Sequence, residues 1–433
     1  MLRRLLSLSI AAILSVPVFA ACSNSAAPNI ALPDYYTQES AADSVKGRIE
    51  FYTFRDDLLV SHYPAWIAMF NEQYPDIHVV LSTSKNFESD FRIRMATNDM
   101  PDLITFDGII HSNSHKAKYL MPLDDVFPDL LAEWIGNDAN VNTEDRLTYA
   151  LTFGLHATAL IYNKIIFSEL GLEPPETLDE LIAAGQAITE SGRIGLAGCL
   201  KPGWTALPYL HIANLMMGDQ LAYHKEMLAN DAPFTLDSPI GVSMQVFKTL
   251  LDAGIMEEYP LSYDWEPFLR DLGSGKTGMA YSWTVLPMQS LYRGDGSMAI
   301  EDFGMVPFPY DNSGGPYKMN ISSDYAMAIA KDTGSPEAAI AFFRWHMDDL
   351  YPKFITEAAL FSARKGVSHN LPYLEELNEH NPEYVMEAPL PDAFLMRINN
   401  APWNRTSQYI DIAMGYEIRQ ILDSLNDAWD RSR

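Results

Sequence analysis

The stretch from Leu147 to Ile188, LTYALTFGLHATALIYNKIIFSELGLEPPETLDELIAAGQAI, constrains the fold more than any other part of the sequence. Its first half, up to Tyr162, is rich in β-branched and aromatic residues, which favours one long strand. Gly154 interrupts this strand, and a glycine inside a strand is typical of a bend or a close backbone approach.

Two helices are predicted to follow this strand. Gly171 ends the first, because glycine readily adopts the left-handed backbone at a helix C-terminus. Thr177 and Glu180 have the spacing of a capping box, which marks the start of the second helix. The chain therefore enters a new sheet here and covers it with two helices, as at a passage from one lobe to another.

These residues carry a family resemblance. LIYNKIIFSELGLEPPETLDELIAAGQAI resembles the signature YNK-x-LF-x-x-x-G-x-x-x-PP-x-TWDEL of the family 1 extracellular solute-binding proteins of ABC importers, the relatives of maltodextrin-binding protein. Leu178 stands where that family usually has Trp. Identity, spacing and order agree over about thirty positions, so the match is far more specific than a short glycine motif.

The segment before this stretch indicates an open α/β sheet. Strands are predicted at 48–54, 77–81 and 103–106, with helices at 63–74 and 86–98 between them. Such alternation favours parallel strands joined by covering helices. The segment also resembles the family pattern F-x-x-x-x-P-x-I-x-V followed by PDL, and LMPLDD at 120–125 resembles a further family landmark.

The later half of the chain contains two more family patterns. FLRDLGSGKTGMAYSW at 268–283 resembles F-x-x-G-K-x-A-M-x-x-x-G-x-W, with Gly278 and Ser282 as departures. Its Gly/Ser/Lys run lacks the spacing of a phosphate-binding loop, so we interpret it as a turn from helix to strand. FGMVPFP at 303–309 resembles the family's return strand, and a further strand is predicted at 322–330.

The resemblance implies an α/β, two-lobed periplasmic-binding-protein type II fold. Each lobe is expected to be a mixed, mostly parallel sheet flanked by helices. We predict an N-terminal lobe of 48–152 plus 308–346 and a C-terminal lobe of 153–307 plus 347–433. The connections between them are placed near Ala150 to Leu155, near Met305 to Pro309 and near His346.

The N-terminus has the features of a bacterial export signal. Arg3 and Arg4 precede an apolar run that is short for a transmembrane helix. Phe19-Ala20-Ala21-Cys22 resembles a lipobox, which implies removal of residues 1–21, an acyl chain on Cys22 and a flexible tether over 22–47. The alternative is ordinary cleavage after Ala20. We expect an extracytoplasmic protein anchored to the cell membrane through Cys22.

Composition narrows the choice of partners. The net charge of −27 argues against nucleic acid, which requires a basic surface. The sequence contains no catalytic or metal-binding motif at the required spacing, so we expect neither an enzyme nor a cofactor. We interpret His156 and His211 as core or surface residues, and Cys199 as a small buried apolar residue.

Aromatic residues make up 12% of the chain, with eight Trp, and aromatic faces stack on the apolar faces of sugars. Candidate ligand contacts are the aromatic and polar residues in loops at predicted strand ends or at positions that resemble family ligand contacts. These are Phe54, Arg55, Phe106, Asp107, Trp204, Trp283, Asp324 and Trp403. Trp204 and Trp283 resemble the aromatics that the family places against ligand.

The resemblance implies capture of a sugar or oligosaccharide between the lobes and its delivery to an ABC permease in the membrane by a monomeric protein. Three alternatives stay open at this point. The ligand could be a non-sugar solute such as a peptide, a polyamine or oxidised iron. The protein could present its ligand to a sensor kinase. Least favoured is an enzyme that hydrolyses glycosides with a carboxylate pair.

Overall fold

The computed structural model describes residues 45–106, 113–137, 140–142, 144–367, 372–388, 390–400 and 406–432. Cys22, Asp107 and Trp403 therefore lie outside the described residues, as do the predicted signal segment and nearly all of the tether. No helix in the described ranges combines the length and apolar character needed to cross a membrane.

Strands and helices alternate along most of the chain. The strands are β1 Gly47–Tyr52, β2 Ile77–Ser82, β3 Leu103–Phe106, β4 Leu151–Thr152, β5 Leu155–Asn163, β6 Ile194–Ala197, β7 Thr277–Trp283, β8 Phe303–Val306, β9 Lys318–Ser323, β10 Ala326–Ile329 and β11 Glu383–Met386. The helices are α1 Asp56–Ser61, α2 Tyr63–Gln73, α3 Phe87–Thr97, α4 Asn113–Tyr119, α5 Pro128–Glu133, α6 Lys164–Leu170, α7 Leu178–Glu190, α8 Leu207–Met216, α9 Gln220–Ala229, α10 Pro239–Asp252, α11 Trp265–Gly273, α12 Leu286–Leu291, α13 Pro336–Asp348, α14 Tyr351–Glu357, α15 Pro372–Glu379, α16 Asp392–Asn400, α17 Ser407–Ala413 and α18 Ile418–Arg431.

The strands form two sheets, one in each lobe. The first has the order β2-β1-β3-β10-β4, and the second has the order β11-β9-β5-β7-β6 with β8 also paired to β5. β1 pairs in parallel with β2 and β3, as the alternation of strands and helices predicts. Antiparallel pairs are more numerous than mostly parallel sheets imply, because β10 runs antiparallel to the earlier strand β3. In the second sheet, β7, β8 and β9 all run antiparallel to the earlier strand β5.

Two extended passages connect the lobes side by side. β4 and β5 meet at Phe153-Gly154, and β9 and β10 meet at Asp324-Tyr325. The Phe153 amide donates to the Tyr325 carbonyl at 2.7 Å, and the Asp324 amide donates to the Gly154 carbonyl at 3.0 Å. The first passage agrees with the predicted crossing near Ala150 to Leu155. The second lies after β9 and not near Met305 to Pro309, because β8 pairs wholly with β5 in the second sheet.

The described structure differs from the predicted lobe boundaries at two places. Lys318–Ser323 pairs with β5 in the second sheet, although the sequence analysis assigns 308–346 to the first lobe. Tyr351 and Phe354 of α14 are buried in the first lobe's core, although the sequence analysis assigns 347–433 to the second lobe. Apolar patterning predicts a buried strand or helix but does not specify which sheet receives it.

The core of the first lobe lies between its sheet and helices α2 and α13. Phe51, Phe70, Phe342 and Trp345 are almost fully buried there, and burial of each such ring contributes about 2–3 kcal/mol. Ser335 precedes α13, but its side chain makes no capping hydrogen bond to the helix. Its hydroxyl instead donates to the Arg48 carbonyl at 3.0 Å, which ties α13 to β1.

Candidate functional site

The polar part of the site lies at the junction of β1 and α1. Arg55 follows the carboxyl end of β1, and Asp57 lies in the first turn of α1. The Arg55 guanidinium donates to both carboxylate oxygens of Asp57, at 2.8 Å from Nε and 2.7 Å from Nη2. Its Nη1 donates to Asp324 Oδ2 at 3.3 Å. One guanidinium thus joins the end of β1 to the crossing between the lobes.

Burial makes this pairing electrostatically strong. The Arg55 side chain is 7% exposed, and those of Asp57 and Asp324 are 17% and 13% exposed. Burial alone would raise the pKa of Asp57, but the charge and hydrogen bonds of Arg55 more than offset it, so this pKa is lowered. Asp57 and Arg55 therefore form a charged pair at neutral pH, and the Asp324 carboxylate contacts the same guanidinium.

His156 connects this ion cluster to the second lobe. Its Nδ1 lies 3.0 Å from Asp324 Oδ1, and its ring centroid lies 5.9 Å from that of Trp283. His156 is the second residue of β5, and Trp283 is the last residue of the neighbouring strand β7. The antiparallel register of these strands brings the two rings together beside the crossing.

Three indole rings extend the site into the second lobe, and we call them the tryptophan cluster: Trp204, Trp265 and Trp283. The Trp204 ring centroid lies 4.8 Å from that of Trp265 and 5.8 Å from that of Trp283. Trp204 is 46% exposed, which is unusual for so large an apolar ring. Trp283 also packs against the core of the first lobe, so the cluster reaches both lobes.

Five of the eight predicted contact residues lie along this site. Arg55 and Asp324 are bonded directly, and Trp204 and Trp283 form part of the tryptophan cluster. Phe54 packs edge-on against Tyr325, with ring centroids 5.2 Å apart, beside the same crossing. Their role in ligand binding stays a prediction.

The structure places the remaining candidates elsewhere or does not describe them. Phe106 is 5% exposed and is packed in an apolar cluster with Tyr52 and Phe87, because β3 is an inner strand of the first sheet. Asp107 and Trp403 are outside the described residues.

Sequence reasoning missed three members of the site. Asp57 has a detectable signal, since it lies two residues after the strand-end Arg55 and can form a local ion pair. The sequence indicates a core or surface role for His156, because no second histidine stands at metal-ligand spacing from it. Trp265 starts a helix, so a search restricted to strand ends passes over it.

The described residues contain no group of three or more His, Cys, Asp or Glu side chains arranged to hold a metal ion. Cys199 is buried and has no disulfide partner in the described part of the chain. Burial raises the pKa of its thiol above the ordinary range.

Comparisons with known proteins agree with this architecture. A family model described as "Bacterial extracellular solute-binding protein" matches residues 57–347. The melibiose/raffinose/stachyose-binding protein MelE of Bacillus subtilis is 30% identical over 184 residues, which are 41% of this chain and 40% of MelE. The alignments with the curated relatives thus span well under two thirds of those proteins.

Solved structures extend the likeness in fold to nearly the whole chain. The manno-oligosaccharide-specific solute-binding protein BlMnBP2 of Bifidobacterium animalis subsp. lactis, in complex with mannotriose, superposes with a TM-score of 0.75. It is 21% identical, and the match covers 92% of this chain and 97% of that one. A sugar transporter protein of Bacillus licheniformis in complex with stachyose has a TM-score of 0.67 and 20% identity over 89% of this chain and all of its own.

The family model spans more than half of the sequence. The fold of the described chain superposes on that of these solved structures. The chain belongs to the bacterial extracellular solute-binding proteins.

Proposed function

We propose that this protein binds an oligosaccharide between its two lobes and delivers it to the permease of an ABC importer. The observation that carries the proposal is the continuous row of side chains from Trp204 through Trp283, His156 and Asp324 to Arg55. It combines an aromatic surface with polar hydrogen-bonding groups at the crossing between the lobes. The ligands named for MelE and for the superposed structures are oligosaccharides, which supports this choice.

The indole rings and the polar groups of the site match the C–H faces and the hydroxyl groups of a sugar, respectively. The C–H face of a pyranose packs on an indole ring, and its hydroxyl groups donate to carboxylates and accept from guanidinium or imidazole N–H groups. Trp204 supplies the exposed ring, while Asp57 and Asp324 supply acceptors. A cluster of three indoles can contact more than one sugar ring, which favours an oligosaccharide.

Closure of the lobes provides the mechanism. The row of side chains draws on both lobes, so a ligand contacts all of it only when the lobes are together and thereby favours the closed state. The closed form presents a joined surface to the permease. The solute leaves chemically unchanged, which is the difference from a glycoside hydrolase. We further propose that the protein works outside the cytoplasm, held at the membrane by a lipid on Cys22.

A thermal-shift screen with mannotriose, raffinose, stachyose and maltotriose tests the proposal. A ligand that binds only the folded protein raises its melting temperature. We expect at least one of these sugars to do so, to remain intact by chromatography, and to reduce the radius of gyration in small-angle scattering. No shift with any of them, or release of a smaller sugar, would overturn the proposal.

Replacement of the exposed indole gives the matched mutational test. Trp204→Ala should weaken binding of the active sugar by about 2 kcal/mol, or roughly thirtyfold in Kd, because a central stacking ring is lost. Tyr416→Ala is the control, since Tyr416 is 56% exposed in the turn between α17 and α18. Isothermal titration should show unchanged affinity in this control. Equal affinities in both variants would contradict the assignment of Trp204.

A further inference from the structure

The loop at residues 198–203, which precedes Trp204, contains two residues with positive φ angles, Cys199 and Gly203. Cys199 has a φ of 48° in the left-handed region, where a residue with a side chain is strained. Gly203 has φ 77° and ψ −50°, a conformation that is open to glycine at little cost. Trp204 follows directly and is the most exposed ring of the tryptophan cluster. Its position therefore depends on what fixes this loop.

One carboxylate holds the start of the loop. Glu257 Oε2 accepts from the Gly198 amide at 2.9 Å, and Oε1 accepts from the Cys199 amide at 2.7 Å. A Cβ on Gly198 would lie 3.2 Å from Glu257 Oε1 and 3.0 Å from Pro260 Cβ, so glycine permits this close approach. Burial raises the pKa of Glu257, and the two amide donors oppose that effect by favouring the ionised form.

The same segment that supplies Glu257 also leads to the second indole. The Leu200 amide donates to the Pro260 carbonyl at 2.8 Å, and the Lys201 amide donates to the Tyr263 carbonyl at 3.3 Å. Trp265 follows two residues after Tyr263, at the start of α11. The loop before Trp204 and the segment before Trp265 are thus bonded along their length, with Glu257 at one end.

We propose that Glu257 is a positioning residue for the tryptophan cluster: its carboxylate joins loop 198–203 to segment 257–263 and so sets the separation of Trp204 and Trp265. This inference rests on the proposed sugar-binding function, because the affinity that it controls is that of the aromatic surface for a pyranose. Glu257 acts through the indoles and does not touch the ligand.

Glu257→Gln is the sharpest test. Its size is unchanged, but an amide has one acceptor oxygen, and its NH₂ group would face a backbone N–H donor. We expect about tenfold weaker binding of the sugar that the wild type binds, in line with loss of one buried hydrogen bond. We also expect an altered near-ultraviolet circular dichroism signal of the coupled indoles without ligand. Trp204→Phe identifies the part of that signal that comes from Trp204.

Asp124→Asn is the matched control. Asp124 is also a carboxylate whose pKa burial raises and which accepts from a backbone amide, that of Thr148 at 2.7 Å, but it lies in the first lobe. The Asp124→Asn variant should lose about as much stability in urea denaturation as Glu257→Gln does. Its near-ultraviolet dichroism and its affinity for the sugar should match those of the wild type. If Glu257→Gln loses no more affinity and no more indole signal than Asp124→Asn, the inference is overturned.

A second variant covers the case in which Glu257→Gln fails to fold. Gly198→Ala keeps the Glu257 side chain, but its Cβ presses on Pro260 Cβ and Glu257 Oε1 and so separates the loop from segment 257–263. It should give the same loss of indole signal and affinity. Wild-type dichroism in this variant would contradict the inference. The dichroism needs no ligand, so it decides the role of Glu257 even if the wild type binds no sugar and the proposed function fails.

Discussion

At the scale of single residues, Arg55 offsets part of the negative charge of the site. Its guanidinium is the cation bonded to both Asp57 and Asp324, and all three side chains are largely buried. Arg55→Met keeps the length of the side chain but removes the cation that contacts both carboxylates, so Asp57 loses its ion pair and Asp324 keeps only His156. We expect a loss of about 3 kcal/mol in the free energy of unfolding at pH 7, measured by urea denaturation.

This loss should shrink in acid. In the wild type the lowered pKa of Asp57 gives stability that is present above the ordinary carboxyl pKa and is lost as pH falls through the lowered one. In Arg55→Met the unpaired carboxyl gains stability on protonation instead. Arg94→Met is the control, because its partner Glu50 is more exposed and the expected loss is about 1 kcal/mol. Equal losses at pH 7 and pH 4 for Arg55→Met would contradict this account.

Sequence reasoning could find individual members of the site but not their pairing. Phe54 and Arg55 follow a clear strand, and residues just past the carboxyl end of such a strand are natural candidates for a cleft. Asp324 bonds to Arg55 across 269 positions, and no local pattern encodes that distance along the chain. The aromatic neighbours of His156 likewise depend on the register of β5 against β7.

At the scale of elements, Gly154 allows the first passage between the lobes to lie close to the chain at Leu360 and Phe361. A Cβ at this position would lie 2.9 Å from Leu360 Cβ and 3.1 Å from the Phe361 carbonyl oxygen. Leu155 and Phe361 exchange two backbone hydrogen bonds of 2.8 Å, so the neighbouring chain cannot withdraw without breaking them. Gly154→Ala should therefore destabilise the protein by about 1–3 kcal/mol.

Thermal and urea unfolding measure this effect. Gly334→Ala is the matched control, since a Cβ there meets no atom within 4 Å and the backbone is not left-handed. The control should be within about 0.5 kcal/mol of the wild type. A Gly154→Ala protein as stable as Gly334→Ala would show that the passage is looser than its contacts indicate.

Local signals predicted most elements well and their assembly poorly. The capping box of Thr177 and Glu180 is confirmed at the start of α7, and β3 spans the predicted residues. β11 was missed because it is a short edge strand whose residues are mostly exposed, so it has no apolar alternation. The second passage was misplaced because extended segments before and after Gly314-Gly315 have similar patterns, and strand pairing alone distinguishes them.

At the scale of the whole molecule, the order of strands and helices predicted two α/β lobes, but not how the lobes touch. A direct contact outside the crossings joins His62, between α1 and α2, to Tyr292, which follows α12 in the other lobe. The Tyr292 hydroxyl lies 3.2 Å from His62 Nε2, with ring centroids 5.7 Å apart. Burial, together with the charges of Glu357 and Asp57, raises the pKa of Tyr292, so the hydroxyl keeps its proton and can donate.

This contact is available only while the lobes are together, so it should slow the release of ligand. Tyr292→Phe removes one hydrogen bond of about 1 kcal/mol, which corresponds to roughly fivefold faster dissociation. Association should be unchanged, because the open form lacks the contact. Stopped-flow tryptophan fluorescence with the sugar found in the screen measures both rates, and Tyr416→Phe is the control. A slower association with unchanged dissociation would mean that the contact forms before the ligand is enclosed, and the His62–Tyr292 pair would then not hold the closed state.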